Sequence, residues 1–277
     1  MSVPDLELGF ATLGCSGASV DEVARVAERH RITGVELRVA ADEFVHQGLT
    51  DAAAEAVGRR LRDSGIRTIA LSGYVRLCDE DEGVVPDLVR DLELARAIGA
   101  TGVRTFMRDP HPSDTAPSTV GGFSDGELRA LDRLAEADLT ARETGVAILI
   151  ETHDTHTRAD QLAPFMTELD RQAPGSRVRV LWDTAHSWSH EESLVDSWEL
   201  LQPWLGHLQV KDERSLDDPV PVMLGEGSFP VAELMSLLAE KGYAGLLSLE
   251  WERKWHPGLP DIDTALAALP GWLGLSR

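Results

Sequence analysis

Four residues of this chain could together hold a divalent cation, and each closes a short apolar run. Ala147-Ile-Leu-Ile-Glu151, Val178-Arg-Val-Leu-Trp-Asp183, His207-Leu-Gln209-Val-Lys211 and Leu246-Leu-Ser-Leu-Glu250 follow one another, with Glu151, Asp183, Gln209 and Glu250 spaced by 32, 26 and 41 positions. An ionised group at the end of a buried strand costs several kcal/mol unless a cation or hydrogen bonds compensate it, so three carboxylates and an amide in series mark a site rather than a core. Two glutamates, an aspartate and an amide or imidazole suit Mn²⁺, Mg²⁺, Co²⁺ or Zn²⁺. One such ion would polarise a substrate carbonyl and hydroxyl, while a carboxylate moves a proton on the adjacent carbon. His186, three residues beyond Asp183, could bind a substrate hydroxyl or a second metal. Lys211 either neutralises an acidic mouth or stabilises an enolate-like oxygen; a Schiff base is the remaining reading.

These residues need a scaffold that brings strand ends together. Apolar runs near 6–14, 32–39, 66–74, 102–109, 146–153, 178–187, 205–212 and 245–252 alternate with amphipathic stretches at 19–31, 51–64, 84–99, 124–144, 158–170, 193–203, 229–241 and 261–272. Eight βα units without a composition break predict one α/β domain over 1–277, a (β/α)8 barrel whose site lies at the C-terminal strand ends. An open doubly wound sheet is the competing arrangement, and Gly14-Cys-Ser-Gly17 does not make its glycine-rich phosphate turn. Ser19-x-x-Glu22 and Ser124-x-x-Glu127 fit capping boxes, and Val231, Leu234, Leu237 and Leu238 form a stripe to cover the sheet. The long irregular stretch from Asp109 to Gly126 reads as a loop overhanging the active face.

Strand parity then sorts the polar residues. Glu36 and Arg38 share one face of the second strand, Glu151 and His153 one face of the fifth, and His207, Gln209 and Lys211 one face of the seventh. Arg179 falls inward with Asp183 and needs a partner low in the barrel. Glu36, Arg38, His153, His186 and Arg214 are the candidate substrate contacts, with His111, Phe123 and Trp255 on loops nearby.

Composition narrows the partners. The 277 residues carry 47 acidic and 26 basic side chains, a net charge of −21, which repels nucleic acid and anionic membrane surfaces. Hydrophobic residues at 43% supply one large core without a run long enough to span a membrane. Cys15 and Cys78 lack metal spacing and read as free thiols of a cytoplasmic protein acting on a small molecule.

At these residues the chain resembles the xylose isomerase-like TIM-barrel superfamily of sugar phosphate isomerases and epimerases. The resemblance rests on Gly34-Val-Glu-Leu-Arg38, Ile150-Glu-Thr-His153, Trp182-Asp-Thr-Ala-His186, Gly206-His-Leu-Gln-Val-Lys-Asp212, Leu224-Gly-Glu-Gly227 and Ser248-Leu-Glu-Trp-Glu252, in order along nearly the whole chain. It implies that Glu151, Asp183 and Glu250 bind one metal ion, that Glu151 and Glu250 are the acid/base pair moving a proton through an enediolate, that His186 meets substrate, and that Glu36 and Lys211 line the pocket. Many relatives place a metal-binding histidine where this chain has Gln209; an amide oxygen there shifts preference toward Mn²⁺ or Mg²⁺, with His207 the substitute ligand. Histidines are lacking at the ends of the third and fourth strands, which argues against the trinuclear endonuclease branch. The implied function is isomerisation or epimerisation of a small polyhydroxy carbonyl compound. Its alternatives are an inosose dehydratase-like lyase and a non-catalytic sugar-binding or partner barrel. Family barrels often pair, which leaves room for a homo-oligomer.

Overall fold

A computed structural model describes residues 6–111 and 122–275. Most of the predicted overhanging loop, residues 112–121, lies outside the described residues.

Eight parallel strands close on themselves: β1 (Glu7–Ala11), β2 (Gly34–Arg38), β3 (Arg67–Arg76), β4 (Gly102–Phe106), β5 (Ala147–Glu151), β6 (Val178–Asp183), β7 (Leu205–Val210) and, after a surface hairpin, β10 (Leu246–Leu249), which pairs with both β7 and β1. The predicted (β/α)8 barrel is the observed fold. Helices α1 (Val20–His30), α2 (Asp51–Asp63), α3 (Val84–Ile98), α4 (Asp125–Thr144), α5 (Ala159–Gln172), α6 (Thr184–Ser189), α7 (Leu194–Leu201), α8 (Val231–Glu240) and α9 (Ile262–Trp272) fall between and after the strands. Ser19 and Ser124 start α1 and α4 with the expected reciprocal caps, each satisfying orphan N–H groups of a first turn. On α8, Leu234, Leu237 and Leu238 are buried as the stripe requires.

The sixth strand stops at Asp183 rather than running to 187. The Asp183 side chain accepts hydrogen bonds from the backbone N–H groups of Ala185 (2.9 Å) and His186 (3.2 Å), which turns the chain into α6 at once. The seventh strand likewise ends at Val210, and the chain then forms the hairpin β8 (Glu213–Ser215) and β9 (Asp218–Pro221), which lacks the apolar alternation that announces a strand. Arg179 finds no buried charge among the described residues; its guanidinium donates to the carbonyls of Ser176 (2.9 Å) and Val178 (2.6 Å) where β6 begins.

Two glycines matter for close approach. A Cβ on Gly34 would come within 2.3 Å of the Leu246 side chain at the start of β10. A Cβ on Gly227 would meet Asp212 Oδ1 at 2.2 Å, because the 224–229 loop wraps the Asp212 carboxylate and donates to it from the N–H groups of Gly225, Gly227 and Phe229. That loop anchors the residue next to Lys211.

Candidate active site at the C-terminal mouth of the barrel

Strand ends supply the site. Glu151 closes β5, Asp183 closes β6, Gln209 and Lys211 straddle the end of β7, and Glu250 follows β10. All five are buried, Glu250 the most exposed at 4%. Donor atoms of Glu151, Asp183, His186 and Glu250 lie within 4.8 Å of one another.

Two cations hold this cluster. Lys211 Nζ lies 2.8 Å from Asp183 Oδ2, 2.7 Å from Glu250 Oε2, 2.7 Å from Glu252 Oε1 and 2.9 Å from His186 Nε2. Arg104, rising from the middle of β4, places one nitrogen 3.1 Å from Glu151 Oε2 and 3.3 Å from Glu250 Oε1, with its guanidinium carbon 4.6 Å from the centre of the Phe106 ring. No expectation named Arg104. The sequence carries the signal, since an arginine inside Gly102-Val-Arg-Thr-Phe106 is as anomalous in a buried strand as Glu151 is.

These neighbours drive the carboxyl groups apart. Burial raises Glu151 to about 7; Arg104 opposes the shift and Glu250 adds to it. Burial also lifts Asp183 well above the ordinary carboxylate range, against the pull of Lys211. Glu250 goes the other way: burial would raise it, but Lys211 and then Arg104 more than reverse this and keep it ionised. Burial would deprotonate Lys211, yet Asp183, Glu250 and Glu252 hold its pKa well above the usual value. His186 is pushed well below its ordinary range by burial and by Lys211.

The residues present fit a divalent cation. Both Glu151 oxygens, Asp183 Oδ2 and Gln209 Oε1 are buried without a hydrogen bond among the described residues. At these atoms Glu151 has ion contacts to Arg104 and His186, and Asp183 to Lys211 and His186. Buried oxygens without a hydrogen bond are rare, and the converging carboxylates of Glu151, Asp183 and Glu250, with the Gln209 amide in register beside Asp183, make a hard, oxygen-rich donor set.

A cavity of about 210 Å³ opens above the cluster, bounded by Tyr74, Arg104, Phe106, His153, His186 and Glu250, with Trp255 at its rim. The His153 and His186 rings meet edge to face, 4.8 Å between centres. A larger cavity of about 430 Å³ beside α3, lined by His46, Asp87 and Asp91, touches none of the cluster residues. Chemistry, not volume, identifies the site.

Three expected substrate contacts are not brought to this cavity. Glu36 lies deeper in the barrel, bonded to His207 and Gln209. The same bond commits His207, the substitute ligand, to Glu36. Arg38 is taken up by Asp42 (2.8 Å), Glu43 (2.7 Å) and the Tyr74 hydroxyl (2.9 Å). Arg214 is exposed on the hairpin, paired with Asp218.

A family model described as "Xylose isomerase-like TIM barrel" matches residues 24–273. The chain belongs to the xylose isomerase-like TIM-barrel family. No curated protein matches it significantly in sequence. Solved structures do match this xylose isomerase-like chain. They include the probable 3-DHS dehydratase AsbF of Bacillus anthracis, at 18% identity over 95% of this chain and 98% of that one with a TM-score of 0.73. The 3-keto-D-glucoside 4-epimerase YcjR of E. coli shares 18% identity over 98% and 99%, with a TM-score of 0.73. The IolI protein, solved with a zinc atom, shares 16% over 97% and 98%, with a TM-score of 0.76. Identities this low establish a shared fold.

Proposed function

We propose that this chain isomerises or epimerises a small polyhydroxy carbonyl compound by moving a proton next to the carbonyl. One observation carries the reading: Glu151 and Glu250 share the Arg104 guanidinium at the barrel mouth while their proton affinities are driven apart. Two carboxyl groups so separated divide the work of acid and base. Glu250, ionised and lining the cavity, takes the proton from the carbon; Glu151, whose proton affinity lies near neutrality, returns one from another position. Lys211 places a fixed positive charge beside Glu250 that favours negative charge developing on a substrate oxygen. His153 orients a substrate hydroxyl group, and the His186 ring, its nitrogens engaged by Thr152 and Lys211, walls the cavity.

A divalent cation held by Glu151, Asp183, Gln209 and Glu250 would polarise the substrate's carbonyl and hydroxyl oxygens. The epimerase named among the solved relatives supports the reaction class, and the zinc-carrying relative supports the cofactor.

A dehydratase among the relatives favours a second reading, in which the same enolate expels a β-hydroxyl. Incubation with ketoses, aldoses and inososes under added Mn²⁺ or Mg²⁺ tests both. Isomerisation leaves product mass unchanged, whereas dehydration removes one water. Glu151→Gln and Glu250→Gln should each lose at least about a hundredfold in turnover, the usual scale for an acid/base group. Full turnover in both would overturn the acid/base assignment. A chain that turns over none of these compounds would favour a sugar-binding or partner role.

A further inference from the structure

Gln209 stands in the row of ligands, and its amide is not free to turn. Its Nε2 donates to Glu36 Oε2 at 2.8 Å, deep in the barrel where neither residue is exposed. The same carboxylate receives the Ser72 hydroxyl at 3.3 Å and faces His207 Nε2 at 3.0 Å through its other oxygen. A carboxylate offers only acceptors, so the amide must present its NH₂ to Glu36. The planar group then turns Oε1 away from Glu36, and that oxygen has no hydrogen bond among the described residues. Gln209 is paired in register with Asp183 on β6 and Ser248 on β10, one of them a cluster carboxylate.

We infer that Glu36 is a positioning residue: it locks Gln209 so that the amide oxygen, not the nitrogen, serves the carboxylate cluster, making an all-oxygen site that narrows the advantage of Zn²⁺ over Mn²⁺. The inference rests on the reading that this cluster binds a divalent cation. Nitrogen ligands favour zinc strongly, while carboxylate and carbonyl oxygens suit Mn²⁺ and Mg²⁺. Partners that fix a ligand's orientation change metal affinity by about 10- to 100-fold when removed.

The test is metal binding, not turnover. Chelator-stripped protein is titrated with Mn²⁺, read by electron paramagnetic resonance, and with Zn²⁺, read by competition with a chromophoric chelator. Gln209→His should raise the Zn²⁺-to-Mn²⁺ affinity ratio at least tenfold. Glu36→Gln, which can either donate to or accept from Gln209, should lower Mn²⁺ affinity about 10- to 100-fold. Gln209→Met keeps the volume, removes the oxygen and should lose at least as much. It decides the matter if Glu36→Gln fails to fold, as its melting curve will report. One Mn²⁺ per chain in the wild type with unchanged binding in a folded Glu36→Gln, or in Gln209→Met, would overturn the positioning role alone. No Mn²⁺ or Zn²⁺ bound by the wild type would overturn it together with the metal reading.

Discussion

Lys211 Nζ lies 2.9 Å from His186 Nε2, and on the far side of the ring Nδ1 lies 3.0 Å from the carbonyl oxygen of Thr152. A carbonyl only accepts, so Nδ1 carries the proton and Nε2 offers its lone pair to the ammonium. His186 is thereby a neutral imidazole whose open nitrogen is taken by a lysine. Lys211→Met should release it, and the ring pKa should climb toward its ordinary value near 6.5, helped by Glu151 and Asp183 at 3.6 Å from Nδ1. Ring-proton NMR across pH reads this directly; a ring that stays neutral down to about pH 5 in the variant would contradict it.

Arg104 is the second cation of the cluster, and its loss leaves Glu151 and Glu250 facing each other. Breaking a buried ion pair from one side typically costs about 3–5 kcal/mol. Arg104→Met should therefore lose stability on that scale in chemical denaturation, with part of it recovered when Mn²⁺ is added. Arg104→Lys should recover part of the loss, because one nitrogen, Nη1, meets both carboxylates and an ammonium keeps that charge, while the Nη2 bond to the Gly73 carbonyl is lost. Wild-type stability in Arg104→Met would remove this residue from the account.

The Asp212 loop gives a purely structural test. Gly227→Ala puts a methyl group against Asp212 Oδ1 and the Glu213 carbonyl, at 2.2 and 2.3 Å before any adjustment. Neither neighbour is a flexible chain end, since Asp212 is held by three backbone N–H groups. A loss of about 2–4 kcal/mol is expected, whereas Gly258→Ala, which meets open space, should stay within about 0.5 kcal/mol of wild type. Equal urea midpoints for the two variants would contradict the packing described.

Asp91 on α3 is 1% exposed, and burial raises its carboxyl from 3.8 to about 6, against the hydrogen bond from Gln47. The folded chain then holds a proton that the unfolded chain releases, so stability falls as pH rises from about 4 to 6. Raising the carboxyl from 3.8 to about 6 corresponds to a cost of order 3 kcal/mol once Asp91 is ionised. Asp91→Asn stays neutral and keeps an acceptor for Gln47. It should match wild type near pH 4 and exceed it by about 1–3 kcal/mol at pH 8; a gain independent of pH would show that ionisation is not the cause.

The barrel was legible because eight apolar runs and eight amphipathic ones alternate without interruption. The ligand row was legible because a carboxylate at the end of an apolar run is costly. What escaped was whatever depends on long side chains crossing the barrel. Parity puts Glu36 and Arg38 on one face but says nothing of depth, and the structure sends Glu36 to Gln209 and Arg38 to Glu43. Arg104 reaches Glu250 across 146 positions of sequence, a contact no local pattern encodes. The hairpin carrying Arg214 is held by register rather than by an apolar face, so periodicity could not find it.

Proton transfer at carbon is the central claim, and solvent deuterium tests it most directly. Each candidate ketose, aldose and inosose is incubated in D₂O with Mn²⁺-supplemented protein and followed by proton NMR at the position next to the carbonyl. At least one compound should lose that proton signal with the wild type and keep it with Glu250→Gln. No exchange in any compound, or exchange undiminished in Glu250→Gln, would contradict it.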